Sequence, residues 1–448
     1  MASREENLME KIVSLCKRRG FVYPGSEIYG GLAGTFDYGP LGLALKNNVK
    51  NLWWNMFVET LENMYGVDAA ILMHSEVWKA SGHVSGFSDP VIECKNCKKR
   101  WRTDHIIESQ LIEKGSYLCP SCRKVLGTEK ELVAQTRQFN MMFETRVGAG
   151  EEGAVTYLRP ETAGGIFVNF KNIVDSFHPK LPFGIAQIGK AFRNEISPRD
   201  FLFRTREFEQ MEIEYFVRPN AWEQNFEEWR QGVRAFFTAV GIPEGVLHEL
   251  EVPQEERAHY SKRTIDFEFD FPFGRKELCG LTYRSDFDLT AHQSSSGIDL
   301  SYPDEESGER FVPHVIEPSF GVDRTVLAIL ASAYDEDELG GEKRTVLRLK
   351  PSMAPIKAAV FPLLKNKPEL VAKAKDIYAD LKREISQVVW DDNGNIGKRY
   401  RRQDEIGTPS CITVDFQTLE DGTVTLRDRD SGEQRRVPAG ELSKAIPI

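Results

Sequence analysis

No stretch of this 448-residue chain stays apolar long enough to span a bilayer. The longest, such as VLAILASAY at 326–334, fall well short of the ~20 residues a spanning helix needs. The opening residues, MASREENLME, put acids where a secretory leader needs a basic start and an apolar run. The expectation is therefore a cytoplasmic protein with no membrane contact. Cysteine is scarce, seven in all, which excludes a disulfide scaffold. In a reducing compartment, closely spaced cysteines read as metal ligands rather than bridges. No GxxxxGK[ST] occurs, so a P-loop is excluded, and no GxGxxG supports a dinucleotide fold. No Ser-His-Asp or Cys-His pattern marks a nucleophile, and His74, His83 and His292 receive no catalytic role.

What remains is globular in composition: 41% hydrophobic and 28% charged residues exclude disorder as the main state. The length allows two to four domains. The net charge of −10 argues against general coating of nucleic acid, but it is uneven. Residues 350–448 hold 17 Lys and Arg against 15 Asp and Glu, whereas residues 1–349 hold 41 against 53. A near-neutral tail on an acidic body hints at a polyanion contact in the tail.

Apolar spacing predicts a helix over 43–65, stopped by Gly66, and a buried strand over 67–73. Residues 86–155 are polar, carry four of the cysteines and read as an insertion. Two strands follow, 183–195 and 203–216, the second with an expected bulge. An amphipathic helix over 222–240, a strand over 264–274 and an apolar helix over 322–334 complete the body. The charged, Gly-bearing run 335–345 is the best linker candidate. After Pro355 the pattern becomes that of an α/β module. It has strands at 357–363, 386–392, 409–416 and 423–430 and a helix over 369–385.

Cys94-Lys-Asn-Cys97 and Cys119-Pro-Ser-Cys122 are separated by 21 residues. Two such turns complete a closed Cys₄ site, which points to structural zinc rather than to a reaction. Arg193-Asn194-Glu195 ends one strand while Arg204, Arg206 and Phe208 open the next, a grouping suited to holding phosphate. Glu317-Pro-Ser-Phe-Gly-Val-Asp-Arg324 reads as a strand, a glycine turn and a helix whose first turn carries Arg324. Any ATP site here is built from arginines on an antiparallel sheet.

These strings carry a resemblance. FRNE with REFEQMEIEYF (206–216) resembles motif 2 of class II aminoacyl-tRNA synthetases, EPSFGVDR resembles motif 3, and 43–73 lies where motif 1 belongs. YGGLAGTFDYGPLG (29–42), SGHVSGFSDP (81–90) and RPETAGGIFVNF (159–170) narrow the resemblance to the homodimeric glycyl-tRNA synthetase family, from about Phe21 to the C-terminus. Two departures stand out. Gly164 takes the place of the Gln in the usual RPETAQG, and no motif 1 proline occurs between Gly66 and Ala80.

The resemblance implies an α+β fold: an antiparallel sheet flanked by helices, a zinc-ribbon-like insertion and a C-terminal α/β anticodon-binding domain. The implied layout is a catalytic domain over 1–345 with its ribbon at 93–124, a linker over 346–354 and the tail domain over 355–448. It implies ATP-dependent activation of glycine and transfer to tRNA(Gly), with magnesium as cofactor. By the same resemblance Arg193 sits on the α-phosphate, Glu195 meets the adenine amino group and Phe208 stacks on the adenine. Arg204 and Arg324 reach the outer phosphates, and Glu277 holds magnesium. Asn194, Phe203, Thr205, Arg206, Glu207, Leu278, Gly321, Val322 and Asp323 complete the implied ATP site. Glu161, Glu212, Glu317 and Ser319 form the implied glycine pocket, joined by Arg102, Phe208, Glu209, Gln210, Met211 and Pro318. In the tail, Lys398, Arg399, Arg401 and Arg402 with Tyr400 suit single-stranded RNA. The competing reading is a non-catalytic, nucleic-acid-binding accessory subunit of the same fold. Such relatives lose the motif 2 and 3 arginines, and this chain keeps them.

Overall fold

The computed structural model describes residues 2–149, 153–305 and 307–448. Helix α1 (Ala2–Arg19) leads to α2 (Pro40–Trp54), whose first-turn proline needs no amide partner there. Leu45, Val49 and Trp53 recur along one buried face of α2. The helix expected over 43–65 is shorter than its pattern. It widens into a π turn at Asn55–Glu59 and gives way to β1 (Met64–Gly66). Gly66 is not a helix stop but a point of contact, because a Cβ there would lie 2.4 Å from the Trp54 ring. The strand expected over 67–73 does not form, apart from one bridge between Leu72 and Leu158. Side chains satisfy that backbone instead: the Ala69 carbonyl accepts from Arg159 at 2.7 Å.

The insertion follows. One small sheet holds Ser88–Glu93, Arg100–Arg102 and Arg137–Asn140, and another holds Ile112–Glu113, Ser116–Leu118 and Val125–Gly127. They share a separate core of Ile92, Ile106, Tyr117 and Leu132. Residues 150–152 of the expected insertion lie outside the described residues.

The body then builds one sheet. After α3 (Ala163–Phe177) come β2 (Phe183–Phe192), β3 (Glu207–Val217), α4 (Trp222–Val240), β4 (Leu247–Glu251), β5 (Arg263–Phe271) and β6 (Gly274–Ser285). They are followed by α5 (Phe287–Ser296), β7 (His314–Gly321) and α6 (Val322–Ala333). The strand order is β4-β5-β6-β7-β3-β2-β1, antiparallel except for the β1–β2 pair. Helices α2, α4 and α6 bury their apolar faces against one side of this sheet in a single core that includes Trp53, Phe236, Phe320 and Leu327. The β2–β3 ladder is regular from Phe183↔Phe216 to Phe192↔Glu207, so the expected bulge is absent. The imperfect alternation has another cause: on β3 the side facing away from this core is polar and buried, with Gln210, Glu212 and Glu214 on it. The register of this sheet shifts instead at Phe267/Glu268, between β5 and β6, and at Tyr283/Ser285, between β6 and β7.

The run 335–345 is not a loose linker. It folds as a hairpin of β8 (Tyr334–Leu339) and β9 (Glu342–Leu347). Charge pairing explains why so polar a segment is ordered: Arg344 chelates Asp337 at 2.6 and 2.8 Å and reaches Asp404 at 3.1 Å. Residues 346–354 have little regular structure, but Leu347, Leu349 and Met353 are buried in the body's core.

The tail is a five-stranded sheet, with β10 (Ala358–Pro362), α7 (Pro368–Glu384), β11 (Val388–Trp390), α8 (Ile396–Ile406), β12 (Ser410–Val414), α9 (Phe416–Asp421), β13 (Thr423–Asp428) and β14 (Gln434–Pro438). Its order is β11-β10-β12-β13-β14, parallel around β10 and antiparallel beyond β12. The basic stretch 398–402 lies in α8, which sequence patterning did not register as a helix.

Candidate active site

A cavity of about 340 Å³ opens on the polar side of β3, walled by β5, β6 and β7. Its two ends have opposite chemistry. At one end stand Arg193, Arg204 and Arg324. Arg193 leaves the end of β2 and donates to the Pro160 carbonyl at 3.1 Å, with its guanidinium 5.2 Å from the ring centres of both Phe208 and Phe87. Arg324 lies in the first turn of α6. It donates to the Phe203 carbonyl and to Glu277 Oε2 at 3.2 and 3.1 Å, and stacks 4.4 Å from the Phe203 ring. Among the described residues, Arg204 pairs only with Glu195, at 3.8 Å. Burial and the neighbouring guanidinium groups depress the Arg204 pKa, although Glu195 opposes them. Burial works against the Glu277 carboxylate, but Arg324, Arg193 and Arg204 outweigh it and hold its pKa below the ordinary value. Three guanidinium groups with so few acceptors of their own have the charge and donors that a polyphosphate requires.

The other end is made of carboxylates. Glu212 accepts from the Thr162 hydroxyl at 2.5 Å, the Thr162 amide at 3.1 Å and the Ser319 hydroxyl at 2.7 Å. Cross-strand pairing of Glu212 with Ser319 places these side chains together. Glu161 meets His83 Nε2 at 3.3 Å. Burial raises the Glu161 pKa, yet His83 and then Arg284 and Arg193 bring it down to about 2. Glu317 binds Arg284, which also chelates Asp288 at 2.7 Å through two nitrogens. Burial pushes the Glu317 carboxyl up to about 8 despite Arg284, helped by the nearby Glu212, Glu161 and Asp288. Burial and then Glu161 raise Glu212 in the same sense. Three carboxylates around one small space, with few cations of their own, form a seat for an ammonium group.

The structure brings together most of the residues named from the sequence. Glu161, Arg193, Glu195, Phe203, Arg204, Thr205, Phe208, Glu209, Gln210, Glu212, Glu277, Leu278, Glu317, Ser319, Gly321, Asp323 and Arg324 all border the cavity. Others do not. Met211 and Val322 point into the core on the far side of the sheet. Pro318 and Glu207 are also off the cavity wall, and Glu207 pairs with Lys190 at 2.8 Å. Asn194 and Arg206 line a separate groove beside the insertion, with Lys99, Arg100 and Trp101. Arg102 sits in the insertion, chelating Asp104 and reaching Asp89 at 2.7 Å. Arg284 and Tyr260 are not singled out by the sequence, and His83, given no catalytic role there, stands against Glu161. Tyr260 lines the cavity and stacks 3.8 Å from the Arg284 guanidinium. The only available signal was the four-residue step from Arg284 to Asp288, which is common in any chain. Gly164 is explained by packing: a Cβ there would lie 2.8 Å from the fully buried Trp78 ring.

In the insertion, four sulfur atoms lie within 4.8 Å of one another. Cys94 and Cys122 are 3.6 Å apart and Cys97 and Cys119 3.7 Å, close to the ~3.8 Å edge of a tetrahedron with ~2.3 Å metal–sulfur bonds. The two turns are copies. Lys98 and Arg123 each follow a CxxC with φ near +59° and +58°, and each amide donates to the first cysteine's carbonyl at 2.9 Å. The four cysteines fit a tetrahedral metal ion.

In the tail, the expected RNA-facing cluster is divided. Arg399 is buried and donates to the carbonyls of Pro362, Asp392 and Gly394, and the Tyr400 hydroxyl meets Thr413 at 2.6 Å. Arg402 pairs with Asp391 at 2.6 Å and Arg401 with Glu342 at 3.2 Å, leaving Lys398 as the exposed cation. In α8 the helical period turns Arg399 inward, a step the unassigned helix concealed.

Residues 143–333 match the family described as the tRNA synthetase class II core domain (G, H, P, S and T), and residues 357–447 match the anticodon binding domain. A glycine–tRNA ligase of Clostridium acetobutylicum is 52% identical, over 99% of each chain. One from Lachnospira eligens is 51% identical over 98% of each chain. Among solved structures, prolyl-tRNA synthetase of Giardia lamblia in complex with prolyl-adenylate superposes with a TM-score of 0.69 at 16% identity. That match covers 99% of this chain and 77% of the other. Fold and cavity define a class II aminoacyl-tRNA synthetase. With half its residues shared along its whole length, the chain belongs to the glycine–tRNA ligase family. Among the described residues no helix is long and apolar enough to cross a membrane.

Proposed function

We propose that this chain activates glycine with ATP and charges tRNA(Gly). A glycine carboxylate oxygen attacks the α-phosphate, pyrophosphate leaves, and the resulting glycyl-adenylate yields its glycyl group to a hydroxyl of the terminal adenosine, releasing AMP. The observation that carries the reading is one cavity with three arginines at one end and Glu161, Glu212 and Glu317 at the other. A zwitterionic amino acid fits between them, with its ammonium among the carboxylates and its carboxylate toward the bound α-phosphate. Arg193 stabilises the charge that builds on the attacked phosphorus. Arg204 and Arg324 hold the outer phosphates, and Phe208 and Glu195 receive the adenine. Binding and alignment supply most of the acceleration, because no side chain acts as a nucleophile. A magnesium ion held by Glu277 would neutralise the polyphosphate further, and Asp266 also lines that wall. Zinc in the Cys₄ group would serve the fold of the insertion.

The same reading covers a homodimer, a cytoplasmic location and a division into 1–345, 346–354 and 355–448, with the tail receiving the tRNA anticodon. The test is ATP–pyrophosphate exchange with each of the twenty amino acids. Glycine alone should support it, and equal exchange with alanine would refute the pocket.

A further inference from the structure

Glu209 and Asp323 border the cavity, yet their carboxylates are engaged elsewhere. Glu209 lies on the core side of β3, the opposite face from Gln210 and Glu212. Its two oxygens meet Lys46 at 2.9 Å and Lys50 at 3.1 Å, both on α2. Asp323 opens α6. One of its oxygens accepts from the Tyr38 hydroxyl at 2.6 Å and lies 3.4 Å from Lys46 Nζ, while the other accepts from the Glu209 amide at 2.8 Å. The Lys46 ammonium is also 4.3 Å from the centre of the Tyr38 ring, and Lys46 is only 5% exposed. One buried cation therefore joins α2, β3 and the first turn of α6.

Stability alone does not call for this arrangement. Leu45, Val49 and Trp53 already seat α2 in the core, and a buried ion pair is seldom more stabilising than apolar residues of the same volume. What it supplies is geometry. Asp323 is followed directly by Arg324, whose guanidinium must leave α6 at one angle to reach both the Phe203 carbonyl and Glu277. A first turn free to shift would carry that guanidinium away from the cavity.

We propose that Lys46 is a positioning residue for ATP: through Glu209 and Asp323 it fixes the start of α6, and with it the guanidinium of Arg324. The inference rests on the reading of Arg324 as a ligand of the outer phosphates.

The test is glycine-dependent ATP–pyrophosphate exchange by the full-length chain, with KM measured separately for ATP and glycine. The variants are Lys46→Met, Lys46→Arg, Tyr38→Phe and, as reference, Arg324→Ala. Lys46→Met should raise the KM for ATP by ~10-fold and leave that for glycine within ~2-fold, and Lys46→Arg should recover most of the loss. Tyr38→Phe keeps the ring beneath the ammonium and removes only the bond to Asp323, so it should raise the KM for ATP by ~3-fold. Should Lys46→Met fail to fold, Tyr38→Phe decides alone. Wild-type KM for ATP in the Lys46 and Tyr38 variants, beside a raised value in Arg324→Ala, overturns the inference and spares the clamp. Equal increases in both Michaelis constants overturn it as well. An unchanged KM for ATP in Arg324→Ala overturns the clamp and the inference together.

Discussion

The arginines of the cavity and those of the tail are the same side chain put to opposite uses. Among the described residues, Arg193 has one hydrogen-bond acceptor, the Pro160 carbonyl, beside the rings of Phe87 and Phe208, and Arg204 has one distant carboxylate. In the tail, Arg429 bonds the carbonyls of Leu349 and Gly407 and chelates Asp430 at 2.8 Å, and Arg427 grips both oxygens of Asp404. A guanidinium offers five donors. Where the protein uses most of them, as at Arg429, or buries them against a carboxylate, as at Arg427, the residue serves as a structural bolt. Where most are left over beside a cavity, the missing acceptors are those of a ligand. The difference teaches that the number of basic residues says less about anion binding than the number of donors left unengaged.

Removing one arginine from each set should therefore produce opposite failures, and the larger effect belongs to the cavity. Arg193→Ala should lower the turnover of glycine-dependent ATP–pyrophosphate exchange by ~10²–10³-fold, the cost of losing a group aimed at developing charge. Its melting temperature should stay near that of the parent, because one hydrogen bond and two contacts with aromatic rings are lost. A comparable fall in stability would place Arg193 among the bolts.

Arg399→Met is the counterpart. Three carbonyls lose their donor, that of Pro362 buried and those of Asp392 and Gly394 partly open to water, so the tail should lose ~2 kcal/mol of local stability. Hydrogen exchange along β10 and β12 reads that loss, while exchange activity with glycine should persist. If the variant is as stable as the parent and only tRNA binding weakens, Arg399 faces RNA after all.

The same contrast explains what could be read from the sequence. Site residues at strand ends were legible because chemistry and position coincide in short strings: Arg193 and Glu195 close β2, and Glu317 to Arg324 turn β7 into α6. Glu212 and Ser319 followed from the motifs, and their contact is a consequence of cross-strand register. Arg284 was not legible. Its importance comes from lying beneath Glu317 on a neighbouring strand, a fact of sheet order rather than of local spacing. Glu209 and Met211 were assigned to the cavity with their neighbours, although strand alternation turns their side chains to the core. Arg399 and Tyr400 looked like an RNA-binding pair because α8 is too polar for apolar periodicity to reveal its buried side. The hairpin at 334–347 was hidden for a similar reason, since ion pairs rather than apolar alternation hold it.

The carboxylate end sharpens the contrast through pH. Burial and the neighbouring acids hold the Glu317 carboxyl up at about 8, so below that pH it is largely protonated in the free protein. An entering ammonium favours the ionised form, and glycine binding must then release a proton. The KM for glycine should therefore fall several-fold as pH rises from ~6 to ~8 and then level off. Glu317→Gln, which cannot ionise, should show a high KM with no such slope. A wild-type KM that is flat across this range would mean that Glu317 is already ionised when glycine arrives.

The smallest effect is expected from Lys398, which among the described residues of the 398–402 stretch is the exposed cation paired with no acid. Lys398 is exposed near the start of α8, where Asn395 caps the Lys398 amide at 2.9 Å, so the backbone is fixed while the side chain stays in solvent. Its charge can act on RNA only across water, and one such contact contributes on the order of one ion to the salt dependence of binding. Lys398→Ala should leave stability and glycine activation unchanged and raise the KM for tRNA by ~2-fold at low salt, with the difference vanishing as salt screens the contact. Arg402→Ala at the same end should do more to the protein and less in a salt-dependent way, because its charge is already neutralised by Asp391. If the two variants show the same salt slope, the pairing with Asp391 opens when tRNA binds. Arg402 then belongs with the cavity arginines rather than with the bolts.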